Sequence, residues 1–443
     1  MPPRCLLIAD DLTGGADTGA QFAKRGFNTL LISFKEGLNI DFSQYRERDV
    51  LVVNTDSRGS SPDKAFGLVS SLLKNYDEEL FPVVYKKIDS TLRGNIGYET
   101  DAILRETNIS VGFMTPSFPE QERTVVDGVL MVWGKPLALT EASSDAAAPV
   151  RESCVYKLVE QQSRHKVGWI DLAHVASGSK ELREAVKREQ EKGNRILIFD
   201  ALHRSDLTHI ADVAFGMDEK PLFIGSAGLA EEVAKKLSPS RGETVSHIPR
   251  RRTKSFNHIF IVSGSASSVT HEQLKRVEQR RGIPSFQLSK LLLMTGEQGR
   301  QRQENNLSSS IGSSLAQGHA VFRVCPERLL SEDSGDIPIH LEIPKRLGHI
   351  GFAALEKSNV DIRDLAVIVT GGDTAMSFFH LLGADGVEIR GEILKGIVMG
   401  HLIGGKWNGL TVITKAGAFG RENALEEIVD ILERRSPSSQ KGK

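Results

Sequence analysis

The sequence predicts an α/β fold of two domains, each with a mostly parallel sheet flanked by helices. Short runs of Val, Ile and Leu alternate with amphipathic helical stretches along nearly the whole chain, the pattern of repeated β-α-β units. The chain has 443 residues, more than one compact domain usually holds. These two observations together favour two separate sheets, each with its own core.

The first domain is predicted over residues 1–238. Apolar runs predict strands at 5–9, 30–32, 50–53, 83–85, 111–114, 167–170 and 196–199. Helices are predicted at 16–25, from Pro62 onward, at 180–192 and at 229–237. Ser61 before Pro62 is typical of a helix start. Asp127-Gly128, between two strand-like runs, predicts an antiparallel hairpin that would form a flap, and the small polar residues at 143–148 predict a loop.

The second domain is predicted over residues 256–435. Residues 239–255 lack apolar periodicity and contain two prolines and three consecutive arginines, so we expect a linker there. Strands are predicted at 259–262, 320–324, 365–369 and 411–413, and helices at 271–281, 305–317 and 421–432. The polar residues 436–443 predict a disordered tail.

Composition excludes several classes of function. A formal net charge of −1 gives no overall attraction for nucleic acid or an anionic membrane. Cys5, Cys154 and Cys325 are too far apart for a disulfide framework or a zinc site, which favours a reducing cytoplasm. The first apolar run ends at Asp10 and is too short for a signal peptide or a membrane span. The sequence leaves the oligomeric state open, including a homodimer.

Charged residues follow several predicted strands of the first domain. The carboxyl ends of parallel strands meet at one edge of a sheet, where ligands of open α/β sheets bind. Arg58 can hold a carboxylate through two parallel hydrogen bonds, and Lys87 adds a point charge. Asp10 and Asp89 can accept hydrogen bonds from hydroxyls or take up a proton. The candidate residues at these strand ends are Asp10, Asp11, Arg58, Lys87, Asp89, Ser90 and Arg93.

Three turns of small residues follow strands of the second domain. They contain Ser265, the stretch Gly371-Gly372-Asp373-Thr374, and Gly417. Such turns let backbone N–H groups approach phosphate oxygens closely, and Asp373 can hold Mg²⁺. No Walker A loop, GxGxxG fingerprint or HExxH pair is present in the sequence. A nucleotide cleft is therefore predicted, and a dinucleotide-dependent oxidoreductase lacks its fingerprint.

Six segments resemble the four-carbon acid sugar kinases: IADDLTGGADTGAQFAKRG from Ile8, NTDSRG from Asn54, KKIDSTLRGN from Lys86, VSGSAS from Val262, VTGGDTA from Val369 and TKAGAFG from Thr414. The resemblance implies an N-terminal acid-sugar domain and a C-terminal nucleotide domain. It also implies that ATP phosphorylates the terminal hydroxyl of threonate, erythronate or 3-oxo-tetronate. The acid-sugar contacts would be Asp10, Asp11, Arg58, Lys87, Ile88, Asp89, Ser90 and Arg93. The ATP contacts would be Ser265, Gly371, Gly372, Asp373, Thr374 and Gly417.

The resulting hypothesis is an ATP- and Mg²⁺-dependent kinase with its active site in the cleft between the domains. Asp89, Asp10 and Asp373 are the candidates for a catalytic base, and the sequence does not choose among them. Positioning and charge neutralisation dominate phosphoryl transfer, so a strong base is not needed. The alternative is a regulatory protein that binds carboxylate and nucleotide without catalysis.

Overall fold

The computed structural model describes residues 4–144, 148–238, 255–265, 267–288, 297–324, 339–417 and 419–434. The chain divides into two compact units, Met1–Val245 and Ser246–Lys443. Apart from Ser255, the predicted linker at 239–255 lies outside the described residues, as do the tail at 436–443 and residues 145–147 of the predicted loop. The proposed domain limits and these segments therefore stay predictions.

The sheet of the first unit is parallel throughout its described strands, in the order β2-β3-β1-β4-β11-β5-β10-β9. A second, antiparallel sheet has the order β6-β7-β8. The strands are β1 (Cys5–Ala9), β2 (Thr29–Ser33), β3 (Val50–Asn54), β4 (Val83–Lys87), β5 (Gly112–Thr115), β6 (Arg123–Val126), β7 (Val129–Val132), β8 (Lys135–Pro136), β9 (Val167–Ile170), β10 (Ile196–Phe199) and β11 (Leu222–Gly225).

Helices alternate with these strands, as the sequence predicts. They are α1 (Leu12–Ala23), α2 (Pro62–Leu73), α3 (Ile96–Glu106), α4 (Val155–Gln162), α5 (Leu172–Ala176), α6 (Ser179–Glu191), α7 (Arg204–Phe215) and α8 (Ala227–Leu237), with 3₁₀ turns at Phe42–Tyr45, Pro119–Gln121, Leu137–Leu139 and Glu141–Ser144. The predicted start of the first helix at residue 16 is wrong by four residues. Asp11 caps α1 by accepting a hydrogen bond from Gly14 N at 3.0 Å, so the helix includes both glycines of the Gly14-Gly15 pair.

The predicted hairpin is confirmed. Asp127 and Gly128 have φ angles of 51° and 70°, the left-handed backbone that a tight two-residue hairpin turn requires. The turn is anchored to the main sheet because Asp127 N and Gly128 N donate to the buried carboxylate of Asp200, at 2.8 and 3.0 Å. The hairpin is therefore a fixed part of the first unit rather than a loose loop.

The second unit has a mixed sheet with the order β13-β14-β12-β15-β18-β17-β16. The first five strands are parallel, and β17 pairs antiparallel with both of its neighbours, β18 and β16. Its strands are β12 (His258–Ser263), β13 (Ser285–Leu288), β14 (Ala320–Val324), β15 (Leu365–Thr370), β16 (Gly386–Leu394), β17 (Ile397–Ile403) and β18 (Thr411–Lys415). Its helices are α9 (Ser268–Arg281), α10 (Glu297–Gln317), α11 (Ile339–Ser358), α12 (Gly372–Leu381) and α13 (Ala424–Leu432), with a 3₁₀ turn at Ile362–Asp364.

Each sheet has a switch point beside its first strand, where neighbouring strands are reached by connections that run in opposite directions. In the first unit, β1 lies between β3 and β4, and in the second, β12 lies between β14 and β15. Such switch points leave a crevice beyond the carboxyl ends of the strands, where ligands bind in open α/β sheets. The candidate residues from both domains follow these strands. Across the described ranges, no helix combines the length and apolarity that a bilayer crossing requires.

Candidate active site

Arg58 connects the loops that follow β1 and β3. Its Nε and Nη2 donate to the two carboxylate oxygens of Asp10, each at 2.9 Å, and Nη2 also donates to Asp11 Oδ1 at 2.7 Å. Burial opposes ionisation of Asp10, but the positive charges of Arg58, Lys86 and Lys87 outweigh it and lower the pKa of that carboxyl. Asp10 is therefore held ionised, and Arg58 is held in one orientation.

Asp89 brings the loop after β4 into the same cluster. Arg93 Nε and Nη2 donate to Asp89 at 2.8 and 3.1 Å, and Arg58 Nη2 lies 3.9 Å from Asp89 Oδ1. Burial works against the charge of Asp89, but Arg93, Arg58 and Lys87 outweigh it and hold the pKa well below its usual range. A carboxylate with so low a pKa is a weak base, and its main effect is to balance the surrounding cations.

Gly94 lets these groups meet. Its φ is 100°, a backbone conformation that other residues rarely adopt. A Cβ at this position would also lie 2.9 Å from Asp10 Oδ2 and 3.5 Å from Arg58 Cγ. Any side chain here would therefore displace the pair formed by Asp10 and Arg58.

Two adjacent lysines on β4 have opposite environments, because successive side chains of a strand point to opposite faces. Lys86 Nζ lies 2.5 Å from Glu99 Oε2, and both side chains are 1% exposed. Lys87 is 4% exposed, and among the described residues its ammonium forms no hydrogen bond or ion pair. A Cβ on Gly14 would lie 2.7 Å from Lys87 Nζ, which places this ammonium beside the Asp11 loop. Lys86 is thus a structural residue, whereas Lys87 is a cation available to a ligand.

The structure gives less direct evidence that the remaining candidates of the first unit, Ile88 and Ser90, belong to this cluster. Ile88 is buried, and its N–H donates to Gly225 O at 2.9 Å, so its side chain belongs to the core. Ser90 is half-buried beside Asp89. The structure therefore brings Asp10, Asp11, Arg58, Lys87, Asp89 and Arg93 together by their side chains.

The three predicted turns of the second unit converge. Ser265 follows β12, and a Cβ on Gly371 would lie 3.7 Å from Ser265 N. A Cβ on Gly417 would overlap Ser265 Oγ, and one on Gly264 would overlap Thr374 Oγ1. Because these turns lie at a switch point and α12 begins at Gly372, their N–H groups and the helix end form a site suited to phosphate.

Lys415 lies at the base of this site. It is fully buried, and among the described residues its Nζ donates only to neutral oxygens: Thr270 Oγ1 at 3.0 Å, Ala416 O at 3.1 Å and Gly417 O at 3.0 Å. Thr270 Oγ1 in turn donates to Gly417 O at 2.6 Å. Burial lowers the pKa of the Lys415 ammonium to about 7. A buried ammonium with no ion pair favours an anion nearby.

Asp373 lies in the first turn of α12 and is exposed. Within the described ranges, no group of three or more His, Cys, Asp or Glu side chains could hold a metal by itself. One carboxylate fits Mg²⁺ all the same, because this ion is commonly held by one or two carboxylates, water and the phosphates of a nucleotide. Asp373 therefore stays a candidate ligand for a nucleotide-bound cation.

Two residues that the sequence analysis did not select belong to these clusters. Lys415 lies within the TKAGAFG segment and is the last residue of β18, a strand of β-branched residues, so the sequence did contain a signal for it. Arg123 begins β6 and is 7% exposed. An arginine at the start of an apolar strand looks like a surface residue, so nothing in the pattern indicated its burial.

Two family models match the chain. A model described as a sugar-binding N-terminal domain matches residues 5–233, and one described as a nucleotide-binding C-terminal domain matches residues 260–425. The fold, the site and the two matches thus define a protein with two domains, one of the sugar-binding class and one of the nucleotide-binding class. The chain belongs to the four-carbon acid sugar kinase family, which confirms the resemblance of its motifs.

Curated relatives match over nearly the full length. A D-threonate kinase of Salmonella typhimurium is 29% identical, covering 97% of this chain and 98% of the relative. A D-erythronate kinase of Heliobacterium modesticaldum is 29% identical, covering 96% of each. A 3-oxo-tetronate kinase of Brucella melitensis is 25% identical, covering 95% of this chain and 93% of the relative.

A solved structure from Salmonella typhimurium shares the fold, with a TM-score of 0.78 and 22% identity over 96% of this chain and 98% of that chain. A solved Haemophilus influenzae protein also shares it, with a TM-score of 0.70 and 24% identity over 96% of this chain and 100% of that chain. The α/β architecture expected from the sequence is therefore confirmed in its two mostly parallel sheets.

The two lysines of β4 give a direct test of this site. Lys86→Met should lower the free energy of unfolding by about 3–5 kcal/mol, because it leaves the Glu99 carboxylate buried without its partner. Lys87→Met should leave stability unchanged or higher, because it removes an ammonium that has no ion pair. Urea unfolding of both variants measures the difference. Equal destabilisation would show that Lys87 is structural too.

Proposed function

We propose that this protein transfers the γ-phosphate of ATP to a hydroxyl of a four-carbon acid sugar. The observation that carries the proposal is the pair of switch points, one lined by charged side chains and the other by small-residue turns. The names of the curated relatives support the substrate class, since threonate, erythronate and 3-oxo-tetronate are all four-carbon acids. The particular acid and stereoisomer are left to experiment.

The acid sugar is proposed to bind at the switch point of the first unit. Lys87 offers an ammonium that forms no ion pair with any described residue, and hydroxyls of the substrate can donate to the carboxylates of Asp11 and Asp89. Arg58 was predicted to hold the substrate's carboxylate, but its Nε and Nη2 already donate to Asp10 and Asp11. We therefore assign Arg58 mainly to organising the site, and Lys87 to the substrate.

ATP is proposed to bind at the switch point of the second unit, with its phosphates against Ser265 and the turn from Gly371 to Thr374. Gly417 leaves room for this approach, and Lys415 supplies positive charge beneath the turns. Asp373 would hold Mg²⁺ together with the phosphates, and that ion supplies charge neutralisation on the phosphate oxygens when bound.

Transfer requires the acceptor hydroxyl and the γ-phosphate to lie close and in line. The interdomain cleft expected from the sequence is therefore part of this proposal. Among the three base candidates, Asp10 and Asp89 have lowered pKa values and accept hydrogen bonds from arginines. They suit orientation and charge balance better than proton abstraction, which phosphoryl transfer needs only weakly.

A coupled assay of ADP release over a panel of four-carbon acids tests the function. We expect ATP-dependent ADP release with at least one of threonate, erythronate or 3-oxo-tetronate, and only background release without an acid. Lys87→Met should raise the KM of that acid about tenfold or more and change the KM of ATP less than about twofold. Binding of acid and nucleotide without ADP release would favour the regulatory alternative.

Nucleotide affinity should also depend on the charge of Lys415. Nucleotide phosphates favour the protonated ammonium, whose pKa burial lowers to about 7, so affinity should be highest below pH 7. It should fall above pH 7 by at most about tenfold per pH unit, the limit for one linked proton. Among the described residues Nζ forms no ion pair, and burial is the cause of the lowered pKa.

Calorimetric titration with ADP between pH 6.5 and 8.5 measures this dependence. Lys415→Met should bind ADP weakly and lose the decline above pH 7, leaving only the titration of the nucleotide itself. Lys406→Met is the matched control, because Lys406 is an exposed lysine of the same unit that pairs with Glu356 at 2.8 Å. An identical pH profile in wild type and Lys415→Met would contradict the assignment.

A further inference from the structure

Arg123 is a buried guanidinium with no carboxylate partner in the described part of the chain. Its residue is 7% exposed, its Nε has no hydrogen-bond partner, and its Nη1 donates to Gln121 O. No ion pair of Arg123 occurs among the described residues. A buried charge is normally paired, so this arrangement indicates that the partner is a ligand.

The surroundings of Arg123 fix its orientation. The guanidinium carbon lies 4.6 Å from the centre of the Trp133 ring, a stacking distance that leaves the edge of the guanidinium free to donate. Trp133 is 58% exposed and has a φ of 51°, which is unusual for a bulky residue. The ring therefore covers one face of Arg123 and is itself open to solvent.

The backbone around Arg123 is also fixed. Its C=O accepts from Phe118 N at 2.7 Å, and its strand is joined to the main sheet by two hydrogen bonds of 3.0 Å between Val125 and Ala201. Asp200 holds the hairpin turn at the other end of the strand. Arg123 is thus held in place in the absence of a ligand, which lowers the entropic cost of binding one.

Electrostatics links Arg123 to Asp89, one of the carboxylates of the cluster at the switch point. Burial lowers the pKa of Arg123, and the strongest opposing influence is the carboxylate of Asp89. That same carboxylate is influenced by Arg93, Arg58 and Lys87. The carboxylate of Asp89 therefore interacts electrostatically with four cationic side chains, those of Arg58, Lys87, Arg93 and Arg123.

We propose that Arg123 binds the carboxylate of the acid substrate together with Lys87, so that the hairpin determines the preference for an acid over a neutral sugar. This inference rests on the proposed function. Arg58 and Arg93 already donate to carboxylates of the protein, whereas Lys87 and Arg123 form no ion pair with any described residue. These two cations lie on separate elements, β4 and β6, and both interact electrostatically with Asp89.

The test compares Arg123→Met, Arg123→Lys and wild type by steady-state kinetics with ATP and the best four-carbon acid. Arg123→Met should raise the KM of the acid about ten- to hundredfold and leave the KM of ATP within about twofold, because charged hydrogen bonds to the carboxylate are lost. Arg123→Lys should raise the KM of the acid less than Arg123→Met does, because it restores the positive charge. In the double variant with Lys87→Met, the two increases in the KM of the acid should be non-additive, because both residues would contact one carboxylate.

Arg105→Met is the matched control, because Arg105 stacks on Phe66 at 4.5 Å in the same unit but lies on the surface, where it pairs with Glu106. It should leave both KM values unchanged. The inference is overturned if Arg123→Met retains the wild-type KM for the acid, or if both KM values rise equally. If Arg123→Met folds poorly, Trp133→Leu provides a milder change. This variant should raise the KM of the acid and leave the KM of ATP unchanged.

The outcome also separates this inference from the proposed function. Absence of ADP release by the wild-type protein with every four-carbon acid would refute the proposed function itself. Turnover of an acid by wild type, with unchanged kinetics in Arg123→Met and Trp133→Leu, would leave the kinase proposal intact and remove only the role of Arg123.

Discussion

The contact of Arg58 with Asp10 and Asp11 is the interaction on which the first site depends. One guanidinium joins the loops after two neighbouring strands and lies 3.9 Å from the carboxylate after a third. Hydrogen bonds between charged, partly buried groups contribute about 1.5–3 kcal/mol each. Because Arg58 is held in this way, the Lys87 ammonium is left to interact with a ligand.

The second site also lies at a switch point of its sheet, but its chemistry differs from that of the first. Turns of small residues replace charged side chains at the switch point, and the Lys415 ammonium beneath them forms no ion pair with any described residue. Within the described part of the chain, each unit therefore has a buried lysine without an ion pair. We interpret this shared feature as a preference for anions, a carboxylate in the first unit and phosphates in the second.

Much of the fold could be predicted from the sequence because buried parallel strands are continuous apolar runs. Strands β1, β9, β10 and β14 agree with the sequence in both limits. The insertion of β11 between β4 and β5 could not be predicted, because it depends on pairing between distant segments. Similarly, motifs identified the candidate residues, but the different environments of Lys86 and Lys87 depend on which face of β4 each occupies. The burial of Arg123 depends on the docking of the hairpin.

A crystal structure with a four-carbon acid and a non-hydrolysable ATP analogue would test the central claim most directly. The account predicts the acid's carboxylate within hydrogen-bond distance of Lys87 Nζ, and the nucleotide phosphates against residues 371–373. A nucleotide bound in the first unit, or an acid that leaves the Lys87 ammonium without an anionic partner, would contradict it.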